Sequence, residues 1–185
     1  MTMTHGTIPN SPLWIKAWFL ISSLVVLWDA GYCLSRPHSM EGGKWNAIWR
    51  PYNLYAKIDT FYGIEALEAQ DGFTSAQAFM NLVESALNFA YLGMITYRPL
   101  TKTGQANLVG FTAASLTVAK TVLYWLVELF SGMQHTGHNE LRDFIVLWVI
   151  PNGAWILVPG MIMVALGRDL FARLDQQQQD KSKAE

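Results

Sequence analysis

The stretch from residue 144 to residue 166 constrains the fold more than any other part of the chain. It reads FIVLWVIPNGAWILVPGMIMVAL and contains no charged side chain. A helix buried in a soluble bundle would keep a polar face toward water, and this stretch offers none. About 20 apolar residues, rising ~1.5 Å each, are enough to cross the hydrocarbon core of a bilayer. The stretch therefore predicts a membrane-spanning helix.

Three further apolar runs have the length of a membrane span, and each is flanked by Trp, Tyr or basic side chains suited to the interface. Together the four runs predict an all-α integral membrane bundle of four transmembrane helices. The alternative is a soluble bundle of four buried helices. The predicted layout is a polar tail at 1–12, a membrane domain at 13–167 and a charged tail at 168–185. The spans are placed at 13–34, 73–97, 105–130 and 144–166, with a loop at 35–72.

Composition narrows the classes of protein further. Hydrophobic residues make up 51% of the chain and charged residues 15%, and the net charge is -1 without a basic cluster. A nucleic-acid-binding protein is excluded, because neutralising phosphates needs clustered Lys and Arg. The single Cys33 excludes a disulfide framework. His135, His138 and Glu140 lack a second cluster of metal ligands, and the sequence has no phosphate-binding loop, so we expect neither metal nor cofactor.

The ends of the chain predict a location and an orientation. Four spans place both termini on one side, and the distribution of Lys and Arg favours the cytosol for that side. The final KSKAE resembles the dilysine-type retrieval signal of endoplasmic-reticulum membrane proteins, which is read from the cytosol. A simple charged tail is the alternative. We expect a multi-pass protein of the endoplasmic-reticulum membrane.

Apart from Lys16, near the start of the first span, four charged residues fall inside the predicted spans: Asp29, Glu84, Lys120 and Glu128. A charge at the middle of a membrane helix costs about 2.5 to 3.5 kcal/mol, so it is tolerated where it faces the bundle interior and finds a partner. Such residues indicate a functional site, with a structural ion pair as the competing explanation.

Polar residues repeat at helical spacing around these charges. The second run has one stripe and the third run another, while Asn152, Trp155 and Pro159 share a face of the fourth run, which Pro151 and Pro159 should bend. Together the stripes predict a polar-lined internal pocket walled by Trp28, Trp125, Trp148 and Trp155. Alternatively, the stripes only hold the bundle together, at about 0.6 kcal/mol per hydrogen bond. The stripes are Gln77, Asn81, Glu84, Asn88 and Tyr91, then Thr117, Lys120, Thr121, Tyr124 and Glu128.

Five segments of the sequence resemble the emopamil-binding protein family, part of the EXPERA superfamily that includes the sigma-2 receptor. They are YAKIDTFY at 55–62, VES at 83–85, VLYWLVE at 122–128, GMQH at 132–135 and NGAWILVPG at 152–160. The resemblance covers roughly 18–170. It implies a helical bundle of the endoplasmic reticulum with a sterol-sized cavity, sterol Δ8–Δ7 isomerisation and a homodimer. It assigns site positions to Asp29, Asp59, Tyr62, Glu84, Glu128, Asn152 and Trp155.

Two departures from the family pattern stand out. Val25 occupies the place of a His one turn before the first-helix acid, and Lys120 replaces an uncharged residue of the third helix. Losing the His removes a proton carrier that titrates near neutrality. A buried Lys120 could pair with Glu84 or Asp29, or bind a carbonyl or enolate oxygen. These departures favour a specialised relative acting on a terpenoid or polyketide-like lipid.

We therefore predict a cofactor-independent isomerase or cyclase that is surrounded by membrane lipid. It would move protons on an alkene or carbonyl of a hydrophobic small molecule that is sterol-, terpenoid- or polyketide-like. Asp29 and Glu84 would exchange protons with the substrate, and Asn152 would orient one of these two carboxyls. Trp155 would face a cationic centre of the substrate. Lys120 would either tune a carboxyl or anchor a substrate oxygen. A housekeeping sterol Δ8–Δ7 isomerase is one alternative, and a non-enzymatic sterol- or amine-binding receptor or trafficking protein is another. Substrate-binding positions are predicted at Trp28, Tyr32, Asp59, Tyr62, Asn81, Asn88, Tyr124, Glu128 and Trp148.

Overall fold

The computed structural model describes residues 11–97 and 103–183, and in these ranges it contains helices and connecting turns but no strand. The expectations for residues 1–10 and for the last two residues of the KSKAE sequence, 184–185, lie outside these ranges. Short 3₁₀ turns cover Asn46–Ile48 and Thr60–Tyr62. The α-helices are α1 (Leu13–Leu34), α2 (Tyr52–Ile58), α3 (Ile64–Glu68), α4 (Phe73–Tyr97), α5 (Thr103–Phe130), α6 (Leu141–Asp143) and α7 (Ile150–Ser182).

Within the described ranges, four helices are long and apolar enough to cross a membrane: α1, α4, α5 and the continuous helix Leu141–Ser182. Their outward side chains include Leu24, Leu82 and Leu157, all well exposed, while Asn88 and Glu84 are buried. A bundle with apolar groups outside and polar groups inside is suited to lipid rather than to water. The prediction of an all-α membrane bundle is thus confirmed.

The fourth long helix is irregular near its start. Helix α6 passes through a π-helical turn at Phe144–Val149 into α7. Pro151 follows two residues after this turn, and a proline cannot donate a backbone hydrogen bond and crowds the carbonyl four residues earlier, here that of Leu147. The departure from α geometry thus lies just before Pro151, whereas Pro159 sits within regular helix. Helical structure extends beyond the predicted span in both directions, from Leu141 to Ser182.

The long helices pack mainly on their chain neighbours: α1 on α4, α4 on α5, and α5 on α7. At one end of the bundle a hydrophobic core forms around Ile15, Phe19, Tyr91 and Leu166. Gly110 lies in this core, where a Cβ would come within 2.8 Å of the Tyr91 ring. The small residue is what allows the helices to approach closely there.

At the other end, the segment between α1 and α4 folds back over the bundle. Arg36 fixes this segment, since its guanidinium donates to the carbonyl oxygens of Cys33 (3.3 Å) and Phe61 (3.1 Å) and to Thr74 Oγ1 (2.6 Å). Helix α2 is thereby placed beside the helical bundle, where it contacts the π-helical turn. The region predicted as a loop is therefore a helical cap that completes an internal cavity.

Candidate functional site

A cavity of about 440 Å³ lies between the cap and the long helices. This volume is in the usual range of about 300–1,000 Å³ for small-molecule sites. Val25, Leu54 and Pro151 line the cavity and are exposed on the outer surface, so the cavity opens between α1, α2 and α7. Its polar lining residues are Asp29, Tyr52, Tyr55, Tyr62, Thr74, Gln77, Asn81, Lys120, Thr121, Tyr124 and Asn152.

A continuous chain of five side chains, joined by three hydrogen bonds and one ion pair, leads along one wall of the cavity and ends behind it. The Tyr52 hydroxyl donates to Asp29 Oδ1 at 2.5 Å, and Asn81 Nδ2 donates to Asp29 Oδ2 at 2.9 Å. Lys120 Nζ donates to Asn81 Oδ1 at 2.5 Å and lies 3.1 Å from Glu84 Oε2. The Asn81 amide thus has a fixed orientation, because its nitrogen faces a carboxylate and its oxygen faces an ammonium.

Glu84 is the counter-ion of Lys120 and stands behind the cavity wall. Its side chain is 1% exposed, against 12% for Lys120, and only Lys120 lines the cavity. Their contact is an ion pair by distance, without the direction of a hydrogen bond at Glu84 Oε2. Gln77 Nε2 also donates to the Lys120 carbonyl at 3.0 Å, which ties α4 to α5 at this level. A buried pair of this kind keeps both groups charged, since each would be costly to bury alone.

Four tyrosines form an aromatic cluster on the opposite side of Asp29. Tyr32 stacks on Tyr52 with ring centroids 4.1 Å apart, and Tyr62 lies edge-on to Tyr55 at 5.0 Å. The Tyr32 hydroxyl donates to the Tyr62 carbonyl at 2.9 Å, joining α1 to the cap. Burial raises the pKa of Tyr52, and the adjacent Asp29 raises it further. Tyr52 therefore remains a phenol that donates to the carboxylate across the ordinary pH range.

Asp59 is fully buried behind Tyr124 and reaches the cavity only through that side chain. The Tyr124 hydroxyl and Trp148 Nε1 (2.9 Å) both donate to its Oδ2, and the Phe61 amide donates to Oδ1 at 3.1 Å. Burial raises the pKa of Asp59 to about 7, although the hydrogen bonds from Trp148 and Phe61 act in the opposite direction. Asp59 also begins the 3₁₀ turn Thr60–Tyr62, so it joins the cap to α5 and to the π-helical turn.

Glu128 and the GMQH segment connect the end of α5 to the cap. Glu128 Oε1 accepts from the backbone amides of His135 (3.1 Å) and Thr136 (2.8 Å) and from Thr136 Oγ1 (2.7 Å). The His135 ring stacks on Phe61 at 3.5 Å. Asn139 Nδ2 donates to the Ile58 carbonyl at 2.7 Å. These contacts position the cap, and within the described ranges no cluster of three potential metal-ligating side chains occurs here or elsewhere.

Helix α7 supplies an amide and an indole. Asn152 Nδ2 donates to the Trp148 carbonyl at 2.9 Å, and its side chain also hydrogen-bonds the Tyr55 hydroxyl. Trp155 lines the cavity and contacts Trp18 of α1 at 5.3 Å between ring centroids. Trp155 Nε1 is buried and has no hydrogen-bond partner among the described residues, so it could donate to a bound molecule.

The structure divides the sequence-predicted positions into two sets. Lining the cavity are Trp28, Asp29, Tyr62, Asn81, Lys120, Tyr124, Asn152 and Trp155. Away from its surface, in supporting contacts, lie Tyr32, Asp59, Glu84, Asn88, Glu128 and Trp148, as does Trp125, which was expected to wall the pocket.

Asn88 belongs to the helix packing below the cavity, where its Nδ2 donates to Ser23 Oγ at 3.0 Å. Conversely, Tyr52 and Tyr55 line the cavity although sequence reasoning assigned them no role. The one available signal was their spacing, which places both on one face of a short helix beside Asp59 and Tyr62.

The fold and the site together define a helical membrane protein with an internal cavity that carries a carboxylate, an ammonium and several phenols. Comparison of the chain with models of known protein families and with curated protein sequences gives no match.

Proposed function

We propose that the protein is a membrane-embedded, cofactor-independent isomerase or cyclase that moves a proton on an alkene or carbonyl of a sterol-, terpenoid- or polyketide-like lipid. The observation that carries the proposal is Asp29, a carboxyl on the wall of a largely apolar cavity and hydrogen-bonded by Tyr52 and Asn81. A carboxyl held in such a site can accept a proton from a bound molecule and return it elsewhere. The motif resemblance to the emopamil-binding protein family points the same way.

The mouth of the cavity supports a lipid-phase substrate. Val25 and Pro151 belong to helices of membrane length and are exposed where the cavity opens. A hydrophobic molecule could therefore enter from the bilayer without crossing water. The membrane of the endoplasmic reticulum, with cytosolic termini, is the location we propose from the terminal KSKAE sequence and the distribution of basic residues.

In this proposal Asp29 of the first span and Glu84 of the second span have different roles. Asp29 exchanges protons with the substrate because it lines the cavity, and Glu84 holds Lys120 charged from behind. Asn152 and Trp155 lie on the facing helix, where the indole N–H is free to bind substrate.

A receptor function is the second candidate, because Asp29 lies beside the aromatic rings of Trp28, Tyr52 and Tyr62. A carboxylate among aromatic faces also suits an organic cation. Such a protein would bind amines and sterols without converting them.

The two functions are separated by incubating purified protein with a sterol that has an 8,9 double bond and with an unsaturated steroid ketone. We expect a double-bond shift whose rate is reduced at least about 100-fold in Asp29→Asn and unchanged in the exposed-site control Glu41→Gln. Binding of both probes without conversion would favour the receptor.

A further inference from the structure

The wall of the cavity carries an anion and a cation side by side. Of its described lining residues, Asp29 is the carboxyl and Lys120 the cation, and Asn81 hydrogen-bonds both of them. The two charges therefore face the same part of the cavity, one side-chain amide apart. Any bound molecule that contacts one of them lies within reach of the other.

The neighbours of Asp29 and Lys120 favour the charged form of each group. Both oxygens of Asp29 accept hydrogen bonds, from Tyr52 and Asn81, and the Lys120 cation lies one side-chain amide away, so both kinds of contact favour the carboxylate. Lys120 donates to Asn81 and is paired with the buried Glu84, which favours the ammonium form. An ammonium has three N–H donors. With Asn81 and Glu84 as its two partners, at least one N–H of Lys120 remains for a ligand oxygen.

These states fit one kind of proton transfer better than another. Adding a proton to an isolated alkene needs an acid at the start and a separate base afterwards, and the lining residues hold a carboxylate instead. Removing a proton beside a carbonyl needs a base and a donor that stabilises the developing oxyanion. Asp29 and Lys120 supply these two groups, and a single carboxylate can then serve as acceptor and as donor.

We propose that the substrate is a β,γ-unsaturated lipid ketone whose carbonyl oxygen is anchored by Lys120, an inference that rests on the proposed isomerase function. The Asp29 carboxylate takes the proton from the carbon between the carbonyl and the double bond. The electron pair of that C–H bond forms a new C=C bond, and the carbonyl becomes a dienolate oxygen held by the Lys120 ammonium. The Asp29 carboxylic acid then returns the proton to the far alkene carbon, which leaves a conjugated ketone and restores both charges.

The remainder of the cavity suits the hydrocarbon part of such a molecule. Val26, Ile58 and Leu147 line it with apolar side chains, and Leu54 lies at the mouth. A lipid with one oxygenated end would thus place that end at Lys120 and its body toward the opening. Glu84 would act only through Lys120, as the group that keeps the ammonium charged.

The first test uses two probes, 5-androstene-3,17-dione and a sterol with an 8,9 double bond and no carbonyl. We expect wild-type protein to convert the ketone to its conjugated isomer at least ten times faster than it shifts the sterol double bond. The double variant Lys120→Met/Glu84→Gln removes both charges and leaves no unpaired buried ion. It should keep its fold and lose about 100-fold or more in kcat on the ketone.

The second test is a binding measurement on wild-type protein. Equilenin, a naphthol-containing steroid, resembles the dienolate, and its fluorescence distinguishes the naphthol from the naphtholate. We expect the bound form to be the naphtholate at a pH where free equilenin is neutral, and the neutral naphthol in the double variant.

Each alternative outcome has a defined meaning. A faster reaction of the carbonyl-free sterol, or equilenin bound as the neutral naphthol by wild-type protein, would overturn the ketone proposal while leaving the isomerase function intact. A covalent adduct at Lys120 after borohydride treatment with the ketone would also overturn it, because Lys120 would then be a nucleophile. Absence of conversion of both probes, with both still bound, would instead reject the isomerase function.

Discussion

The two ends of the bundle use the same four long helices in opposite ways. At the packed end, around Phe19, Tyr91 and Leu166, the helices meet through apolar contacts and fill the interior. At the cavity end, around Asp29, Asn81 and Lys120, they meet through hydrogen bonds and leave an open space.

Helix α5 contains the physical reason for the difference. Toward the packed end most of its inward residues are small, namely Ala106, Gly110, Ala113 and Ala114, and the neighbouring backbones can approach. Asn107 is the polar exception, and it donates to Asp169 of α7 at 2.7 Å. Toward the cavity end its inward residues are polar, namely Thr117, Thr121, Tyr124 and Glu128. The two threonines donate to carbonyls of their own helix, while Tyr124 and Glu128 hydrogen-bond the cap and the segment after α5. The cap, with α2, then closes over the space that results. The cavity therefore depends on satisfied polar contacts, whereas the packed end depends on close contact between backbones.

The largest effect should follow from breaking the buried ion pair of the cavity end. Glu84→Gln leaves Lys120 without its counter-ion in an apolar setting, so we expect the free energy of unfolding to fall by up to about 5 kcal/mol. Lys120→Met/Glu84→Gln should recover most of this loss. Unfolding in detergent, followed by Trp fluorescence for the two single variants and the double variant, measures the coupling. If the loss of stability in the double variant equalled the sum of the losses in the two single variants, the pair would not hold the cavity end together.

A second, somewhat smaller effect concerns Asp59, which joins the cap to α5. Burial raises its pKa to about 7 from the ordinary value of 3.8. Between these two pH values the folded protein therefore retains a proton that the unfolded chain has lost. Stability should therefore decrease as pH rises from about 4 to about 7, by at most about 4 kcal/mol, and change little from this group above that range. The midpoint of thermal unfolding, measured across this range, should depend less on pH in Asp59→Asn.

The matched control for this pH dependence is Asp143→Asn, a change at an exposed carboxyl near the start of the fourth long helix. It should leave the wild-type pH dependence intact. If Asp59→Asn and wild type lose stability in parallel between pH 4 and pH 7, then Asp59 remains ionised in the folded protein.

The sequence predicts the membrane-length helices well because each is long and strongly apolar. The spans at 13–34 and 73–97 coincide with α1 and α4 as the structure has them. The fourth helix continues to Ser182, beyond the predicted span, through a charged, Gln-rich segment whose composition indicates a solvated helix end. The cap was missed for a different reason. Its short helices are held by long-range bonds such as those of Arg36, which have no local signature in the sequence.

The candidate site was predicted in part by helical spacing. That spacing aligned Asn81 with Glu84 and brought Lys120 to the same level, but it could not show which carboxyl faces the cavity, since α4 carries both wall and supporting residues on one stripe. Tyr52 could not be identified as the partner of Asp29, because 23 positions separate them in sequence and the cap brings them together. Contacts between a helix and a folded-back segment depend on tertiary structure rather than on periodicity.

The smallest effects on stability should come from substitutions at two glycines. One glycine lies where helices are in close contact, and the other tests helix propensity alone. A Cβ at Gly110 of the packed end would lie 2.8 Å from the Tyr91 ring and 2.9 Å from Leu166, so Gly110→Ala should destabilise the protein by about 1–3 kcal/mol. A Cβ at Gly160 of α7 would meet nothing within 4 Å, so Gly160→Ala should stabilise it by about 0.5–1 kcal/mol through helix propensity. Unfolding in detergent gives both values, and turnover of the steroid ketone should be preserved in both variants because neither glycine lines the cavity. If both substitutions changed stability by the same amount and in the same direction, close approach of the backbones would not be what holds the packed end together.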